Sequence, residues 1–329
     1  ATPDYAEMGY DNDTLDQFLD LNYSICKNDI CPANGEADEI GWKYDAANIE
    51  HAVSATPAMQ NAFHAVVDNG LGMQFGNRTD NEGNYTDMKM PLAWYAPILE
   101  MQSAASAGLV MNWCITQGAT TVIQFEADKR FQDLYLPKMY AGEWGGTMCL
   151  TEPGAGSEVG NCATKCFPTE TPGLWKVKGN KIFITSGDSD IFTNIIHLVL
   201  AKAPNAAPGT AGISLLMVPK FWVDDEGNMT GWNDVTTVGI EHKMGIHGSV
   251  TCSLAFGEND NCLGWMVGAD PDPETGKGKG IAQMFNMMNE ERLNTGEFAL
   301  GVIGAAYYAA LEHSKIRVQG RKVGAAKSD

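Results

Sequence analysis

The chain of 329 residues is poor in positive charge. Its 22 lysines and arginines stand against 41 aspartates and glutamates, giving a formal net charge of −19 at pH 7. Such a surface repels the phosphates of nucleic acids and of anionic lipids, so we expect neither as a partner. No apolar run approaches the ~20 residues of a membrane-spanning helix, and no signal peptide is visible.

The cysteines and histidines lack the spacing of a metal site or a redox motif. None of the eight cysteines forms a C-x-x-C pair, and the six histidines are scattered, so no metal site is predicted. A chain this long needs no disulfide framework, which favours a reducing compartment. We therefore expect a bacterial cytoplasmic protein, with the mitochondrial matrix as the alternative. The first residue, Ala1, indicates a processed or truncated start.

Helical patterns dominate the first part of the chain. Apolar spacing predicts helices over residues 16–21 and 46–67, followed by a Gly/Asn/Asp-rich loop over 70–89. Composition predicts helix from 90 to 140, including a short helix over 128–135 that stops near Pro137.

The pattern changes to short β-rich runs after Gly146, and these predict a small antiparallel sandwich or barrel. A polar loop follows over 257–280, and helical spacing resumes at Ile281. The fold class is α+β and multidomain, with a mainly helical N-terminal domain (1–145), a middle β domain (146–265) and a helical C-terminal part (266–329). The predicted strands cover residues 175–177, 181–185, 195–201, 212–218 and 251–256.

Two sequence segments are the most informative. The first, MCLTEPGAGS over residues 148–157, reads as a strand that breaks at Pro153 and turns through two glycines into Ser157. A turn that exposes successive N–H groups and ends in a hydroxyl suits a phosphate or an electron-rich ring edge. The second, KGNKIFIT over residues 178–185, is β-rich and carries Phe183 two positions before Thr185. Together they predict a grip on a flat, phosphate-bearing cofactor.

This pair of motifs resembles the acyl-CoA dehydrogenase family, in which T-E-P-G-A-G-S and [W/F]-I-T line the flavin of FAD. The resemblance covers residues 90–323 well and the first 90 faintly. It is nearest the larger, N-terminally extended branch, which acts on long-chain acyl-CoA and on 3-(methylthio)propanoyl-CoA. It implies that residues 266–329 begin a C-terminal helical bundle whose later helices, which carry the family's usual catalytic glutamate, lie beyond this chain.

The resemblance also implies roles for individual residues. FAD would be contacted on one side by Met148, Cys149, Leu150, Thr151, Gly156 and Ser157. Its ring would be covered by Phe183, Ile184 and Thr185. Ser157, Asn289 and Arg292 would contact the substrate, whereas Arg317 and Gln319 would reach the FAD of a neighbouring subunit from the end of a long helix. The reaction implied is α,β-dehydrogenation of an acyl-CoA thioester to the trans-2-enoyl-CoA, with electrons passed to an electron-transfer flavoprotein. A homodimer or tetramer is expected.

The catalytic base is predicted at Glu291. In some members of the family the glutamate immediately precedes an arginine in an E-R-L context, and Glu291-Arg292-Leu293 matches that site. Alternatively, the base lies on the later helices, or the chain has none. Two other functions stay open: a catalytically inactive scaffold subunit of a larger assembly, and an acyl-CoA oxidase or related flavin monooxygenase.

Overall fold

The computed structural model describes residues 11–72, 92–321 and 323–324. Its N-terminal part is helical, as predicted. Asp11 caps the first helix by accepting a hydrogen bond from the Thr14 amide at 2.8 Å, and this helix contains the predicted stretch 16–21. The helices are α1 (Asn12–Ile25), a π-helical turn (Cys26–Ile30), α2 (Cys31–Glu39), α3 (Pro57–Val67), α4 (Leu92–Glu126) and α5 (Lys129–Tyr140).

The prediction of one helix over 46–67 is wrong in its first half. Strand β2 (Val53–Ser54) lies there instead and pairs with β1 (Lys43–Tyr44), and helix α3 begins only at Pro57. The reason is local, because the side chain of Thr56 accepts from the Met59 amide and Pro57 has no amide hydrogen to satisfy at the first helical position. Most of the predicted loop over 70–89 lies outside the described residues.

Helix α4 is kinked at Ser106, whose φ of −165° and ψ of 92° are not helical. The Ser106 hydroxyl donates to Asn34 Oδ1 at 2.6 Å and accepts from the Leu109 amide at 3.3 Å. Ser106 therefore ties the kink to α2 and caps the second half of α4.

Helix α5 does not stop near Pro137, contrary to the prediction. Pro137 disfavours a helix through its missing amide hydrogen and the bulk of its ring, but the turn after it still forms, and the carbonyl of Pro137 accepts from Ala141 at 3.1 Å. The chain turns out of the helix just beyond Tyr140, at Gly142, whose φ is 73°.

The middle of the chain forms an eight-stranded sheet with the order β10-β11-β5-β12-β7-β6-β3, in which β4 pairs with β5 and β6. Its strand pairs are antiparallel, except that β6 runs parallel to both β3 and β4. Strands β8 and β9 form a separate hairpin. The strands are β3 (Trp144–Cys149), β4 (Lys165–Pro168), β5 (Leu174–Thr185), β6 (Asn194–Lys202), β7 (Ile213–Pro219), β8 (Phe221–Val223), β9 (Met229–Trp232), β10 (Val235–Ile240), β11 (Thr251–Phe256) and β12 (Leu263–Met266).

The two short strands predicted over 175–177 and 181–185 are one continuous strand, β5. Its first half pairs with β4 and β12, and its second half with β11, so β5 links both parts of the sheet. Gly179 lies within β5 against Thr164, where an added Cβ would come within 2.5 Å of the threonine hydroxyl. Strand β12 was missed because it lies in a segment read as polar loop.

The long helix α6 (Gly280–Ile316) packs antiparallel to α4. Asn286 near its start donates to Glu126 at the end of α4 at 2.8 Å. Further along, a Cβ on Gly301 would come within 2.5 Å of the Glu100 carbonyl, so glycine allows the two backbones to approach. No helix among the described residues is long and apolar enough to cross a membrane.

The predicted fold class, α+β with a helical N-terminal region, a β-rich middle and a helix at the C-terminal side, is confirmed. The division at residues 145 and 265 stays a prediction. Strand β3 begins at Trp144.

Candidate functional site

The first motif begins in the last two residues of strand β3 and continues into a tight turn. The amide and carbonyl of Glu152 exchange hydrogen bonds with those of Ala155, at 3.2 and 3.0 Å. Pro153 and Gly154, at the tip of the turn, are exposed, as are Gly156 and Ser157 after it. A Cβ on Gly154 would have no neighbour within 4 Å, so the outer side of this turn is open.

A buried ion pair anchors the inner side of the turn. Lys181 Nζ lies 2.7 Å from Glu152 Oε1, and the two side chains are 0% and 4% exposed. The carboxylate also accepts from the amides of Ala163 (2.6 Å) and Thr164 (3.0 Å) and from the thiol of Cys162 (3.1 Å). Burial by itself would raise the pKa of Glu152, but Lys181 and these hydrogen bonds outweigh it and lower the pKa to about 2. The pair is therefore charged and satisfied.

The two sequence motifs meet at this point. The Leu150 carbonyl accepts from Lys181 Nζ at 3.0 Å, and the Thr151 carbonyl accepts from the Ile182 amide at 2.9 Å. The segment after β3 and the second half of β5 are thus joined by main-chain and side-chain hydrogen bonds. Their outward-facing side chains therefore lie next to each other on the protein surface.

Phe183 has a strained backbone, with a φ of 61° in the left-handed region. The pairing of β5 with β11 slips here, because Ile182 and Phe183 both lie opposite Ser253. The Phe183 ring is 59% exposed although it is large and apolar. Strain of this kind persists where the surroundings enforce it and is concentrated at functional sites.

The structure sorts the predicted flavin contacts into two groups. Half-buried or exposed side chains belong to Met148, Leu150, Thr151, Ser157, Phe183 and Thr185. Cys149 and Ile184, in contrast, are buried, and Cys149 Sγ faces Thr147 at 3.4 Å. These two side chains do not reach the surface, so only their main-chain atoms are available to a ligand.

Glu291 lies on the α4 side of α6. A Cβ on Gly118 of α4 would come within 2.8 Å of Glu291 Oε1, a buried atom that has no hydrogen-bond partner among the described residues. Burial, and after it the charge of Glu290, raise the pKa of Glu291 to about 8. Glu290 differs in that its Oε2 accepts from Thr121 at 2.9 Å. A carboxyl with a pKa near neutrality in a desolvated position has the properties of a general base.

The remaining predicted residues lie on exposed parts of the chain. Arg292 is hydrogen-bonded to Asn289 at 2.7 Å, and both are exposed on α6. Arg317 is not helical, contrary to the prediction, because α6 ends at Ile316 and Arg317 is its extended cap residue. Gln319 follows it, also exposed. Within the part of the chain that the structure describes, Arg317 and Gln319 are therefore not brought to the site formed by the two motifs.

Sequence reasoning missed two groups that shape the site. Lys181 and Glu152 stood inside the quoted motifs without a role, because the alternation of a regular strand would place Lys181 on the same outward face as Phe183, where a lysine is ordinary. Asn112 on α4 carried no sequence signal. Among the described residues, no group of three or more His, Cys, Asp and Glu side chains could hold a metal ion.

The sequence of this chain is similar to those of known proteins. The profile of the family described as acyl-CoA dehydrogenase, middle domain, matches residues 147–258. A butyryl-CoA dehydrogenase from Syntrophomonas wolfei is 63% identical over 313 residues, which are 95% of this chain and 50% of that protein. The 3-methylmercaptopropionyl-CoA dehydrogenase of Ruegeria pomeroyi is 33% identical over 93% of this chain and 48% of its own length.

A solved structure, the acyl-CoA dehydrogenase from Bacillus anthracis complexed with FAD, has a TM-score of 0.68 at 20% identity. The likeness covers 95% of this chain and 46% of that one, and it shows a shared fold. The chain spans about half the length of the curated relatives it matches.

Proposed function

The chain belongs to the acyl-CoA dehydrogenase family, and on that premise we propose that it binds FAD and contributes to α,β-dehydrogenation of an acyl-CoA thioester to the enoyl-CoA. The observation that carries the proposal is the junction of the two motifs, where the strained Phe183 stands exposed beside the open turn. The alternatives of an oxidase and a scaffold subunit have no specific observation in their favour.

The residues present fit FAD. The ring of Phe183 offers an exposed aromatic face to a flat ring system. The half-buried Thr151 and Thr185 and the exposed Ser157 supply hydroxyl donors. The glycines at 154 and 156 leave the turn open for close approach of a phosphate, since at Gly156 an added Cβ would meet only Thr151 Cγ2, at 3.8 Å.

The chemistry of dehydrogenation divides between cofactor and protein. When bound, FAD supplies a two-electron acceptor for the hydride from the β carbon of the thioester. The protein must remove the α proton, and Glu291 Oε1 is the group we assign to that task. The packing of α6 against α4 buries Glu291 Oε1, and this burial raises the pKa of the carboxyl.

The substitution Phe183→Gly should weaken FAD binding without lowering the stability of the protein. Glycine adopts a φ of 61° without the ~1–2 kcal/mol cost of an L-residue in the left-handed region, so we expect an equal or higher free energy of unfolding. The same change removes the aromatic face, and the FAD dissociation constant should rise roughly tenfold. Phe167→Gly on β4, where the ring is 42% exposed, is the matched control and should lose stability without losing FAD. Equal FAD affinity of the Phe183 variant and the parent would contradict the assignment.

Ser157→Leu tests the phosphate side of the proposal. Leucine removes the exposed hydroxyl and fills the space beyond the open turn, so affinity for FAD and acyl-CoA should fall together. Titration of the flavin-free protein with FAD, followed by flavin fluorescence, measures the change. If the parent chain takes up no FAD at all, the proposed function fails.

We further propose that the functional unit is at least a homodimer in which Arg317 reaches the FAD of a second copy, since Arg317 is exposed and lies away from the proposed FAD site among the described residues. Arg317→Lys should release more FAD than the kept charge suggests, because an ammonium cannot form the bidentate contact of a guanidinium. Arg321→Lys, at another exposed arginine four residues on, is the control. A monomer by light scattering with full FAD occupancy would argue against the dimer.

The partners proposed are acyl-CoA as substrate and an electron-transfer flavoprotein as electron acceptor. The bacterial sources of the matched relatives support a bacterial cytoplasmic location.

A further inference from the structure

Asn112 joins three separate segments of the molecule. It lies in the second half of α4 and is 1% exposed. Its Nδ2 donates to the Gly248 carbonyl at 2.7 Å, and its Oδ1 accepts from the Val250 amide at 3.1 Å. Its main-chain carbonyl and Oδ1 also lie 3.0 and 3.2 Å from the Ser186 hydroxyl, which donates to them. One amide side chain thus ties α4 to the loop before β11 and to the end of β5.

Ser186 is itself strained, with a φ of 51°. Its amide donates to the Val250 carbonyl at 2.9 Å, and its hydroxyl is taken up by Asn112. Phe183 and Ser186 are thus two left-handed residues with Ile184 and Thr185 between them. Such a backbone persists only where surrounding contacts enforce it, and Asn112 supplies two of the acceptors that do so.

The same helix supports the candidate base. Gly118 lies six residues after Asn112 on α4 and is the residue against which Glu291 Oε1 packs. Helix α4 therefore contacts both parts of the proposed site, the flavin-covering segment at Asn112 and the base at Gly118. At 1.5 Å per residue, these two positions are about 9 Å apart along the helix axis.

We propose that Asn112 is a positioning residue that sets the placement of the Phe183–Ser186 segment relative to Glu291. The inference rests on the proposed function for what the two ends do. Removal of a proton and a hydride from adjacent carbons requires both acceptors in a fixed relation, and a displacement of about 1 Å can cost roughly 10²-fold in rate. Asn112 acts through Ser186 and the loop at Gly248 and Val250, so it need not touch the substrate.

Gln102 provides a matched control on the same helix. It is a buried amide, 2% exposed, and its Nε2 donates to Asn22 Oδ1 and the Leu71 carbonyl, at 3.0 and 3.1 Å. Its Oε1 accepts from Trp113 Nε1. All these partners lie in the helical region, so Gln102→Ala loses buried hydrogen bonds without releasing the end of β5.

The test compares Asn112→Ala, Ser186→Ala and Gln102→Ala with the parent protein. Hydrogen exchange of the peptide covering residues 183–187 is measured without cofactor. FAD affinity and the visible absorption bands of bound flavin are measured with it. We expect exchange in this peptide to become about tenfold faster in the Asn112 and Ser186 variants, because a buried hydrogen bond is lost. FAD should bind about tenfold more weakly, with shifted absorption bands, a signature that a general loss of stability would not produce.

The results of these measurements distinguish the positioning role of Asn112 from the proposed function. Unchanged exchange and unchanged absorption bands in the Asn112 and Ser186 variants would overturn the positioning role, as would the same local change in Gln102→Ala. If Asn112→Ala does not fold, the milder Ser186→Ala decides. If the parent takes up no FAD, the proposed function fails, while faster exchange at 183–187 still supports the positioning contact and unchanged exchange still overturns it.

Discussion

Replacing Glu291 by glutamine should nearly stop reduction of bound flavin by acyl-CoA while FAD remains bound. Glutamine keeps the shape of the side chain beside Gly118 but has no oxygen that takes up a proton. Loss of a general base typically costs ~10²–10⁴-fold in rate. Rapid mixing of the FAD-loaded variant with acyl-CoA, followed by flavin absorbance, measures it. A variant that reduces its flavin at the parent rate would place the base elsewhere.

Glu290→Gln is the matched control for this experiment. Burial is the main cause of the raised pKa of Glu291 and the charge of Glu290 the second, so removing that charge lowers the pKa of Glu291 without removing the base. In the parent, flavin reduction should rise with pH through about 8 as Glu291 loses its proton. In Glu290→Gln the same rise should occur at lower pH, with the plateau rate retained.

Glu291 also predicts a pH dependence of stability that needs no substrate. Its pKa in the folded protein, about 8, lies above the ordinary value of 4.5, so the folded state holds the proton more tightly than the unfolded state. Its contribution to stability is therefore full below pH 4.5 and is lost as the pH rises through about 8. Glu291→Gln should flatten this loss in denaturant unfolding followed from pH 5 to 9.

Lys181→Met should cause the largest loss of stability among the changes considered. It leaves the carboxylate of Glu152 buried without its cation, and breaking a buried pair in this way costs about 3–5 kcal/mol. The turn that carries Ser157 loses its anchor at the same time, so FAD should dissociate as well. Denaturant unfolding and flavin release measure the two effects.

Two variants serve as controls for the Lys181 prediction. Lys178→Met, three residues earlier on β5, breaks the exposed pair with Asp260 and should cost no more than about 1 kcal/mol. The double change Lys181→Met with Glu152→Gln removes both charges and should recover part of the stability. A Lys181 variant as stable as the Lys178 variant would contradict the role of the buried pair.

The Glu152 carboxyl adds a pH test of the opposite sign. Its pKa in the folded protein is lowered from 4.5 to about 2, so its contribution is present above pH 4.5 and is lost as the pH falls through about 2. Glu152→Gln should remove this acid-side loss.

Local patterns in the sequence determined much of the fold and indicated where the proposed cofactor site lies. The turn chemistry of Pro153 and two glycines predicted the turn that follows β3, although the strand itself ends earlier, at Cys149, and the apolar spacing after Ile281 predicted α6. Both predictions depend on residues close together in the chain. The same logic failed where a local signal was overridden, as at Pro137 inside α5 and at the continuous strand β5.

Tertiary structure alone decided the chemistry of the individual groups. Glu291 has a raised pKa because Gly118, more than 170 residues earlier, lets α4 approach and removes water from its carboxyl. Phe183 has a left-handed backbone because β11 pairs out of register with β5, and Lys181 is buried because Glu152 meets it from the end of β3. Desolvation, strain and charge pairing arise between segments far apart in sequence, so no local pattern encodes them.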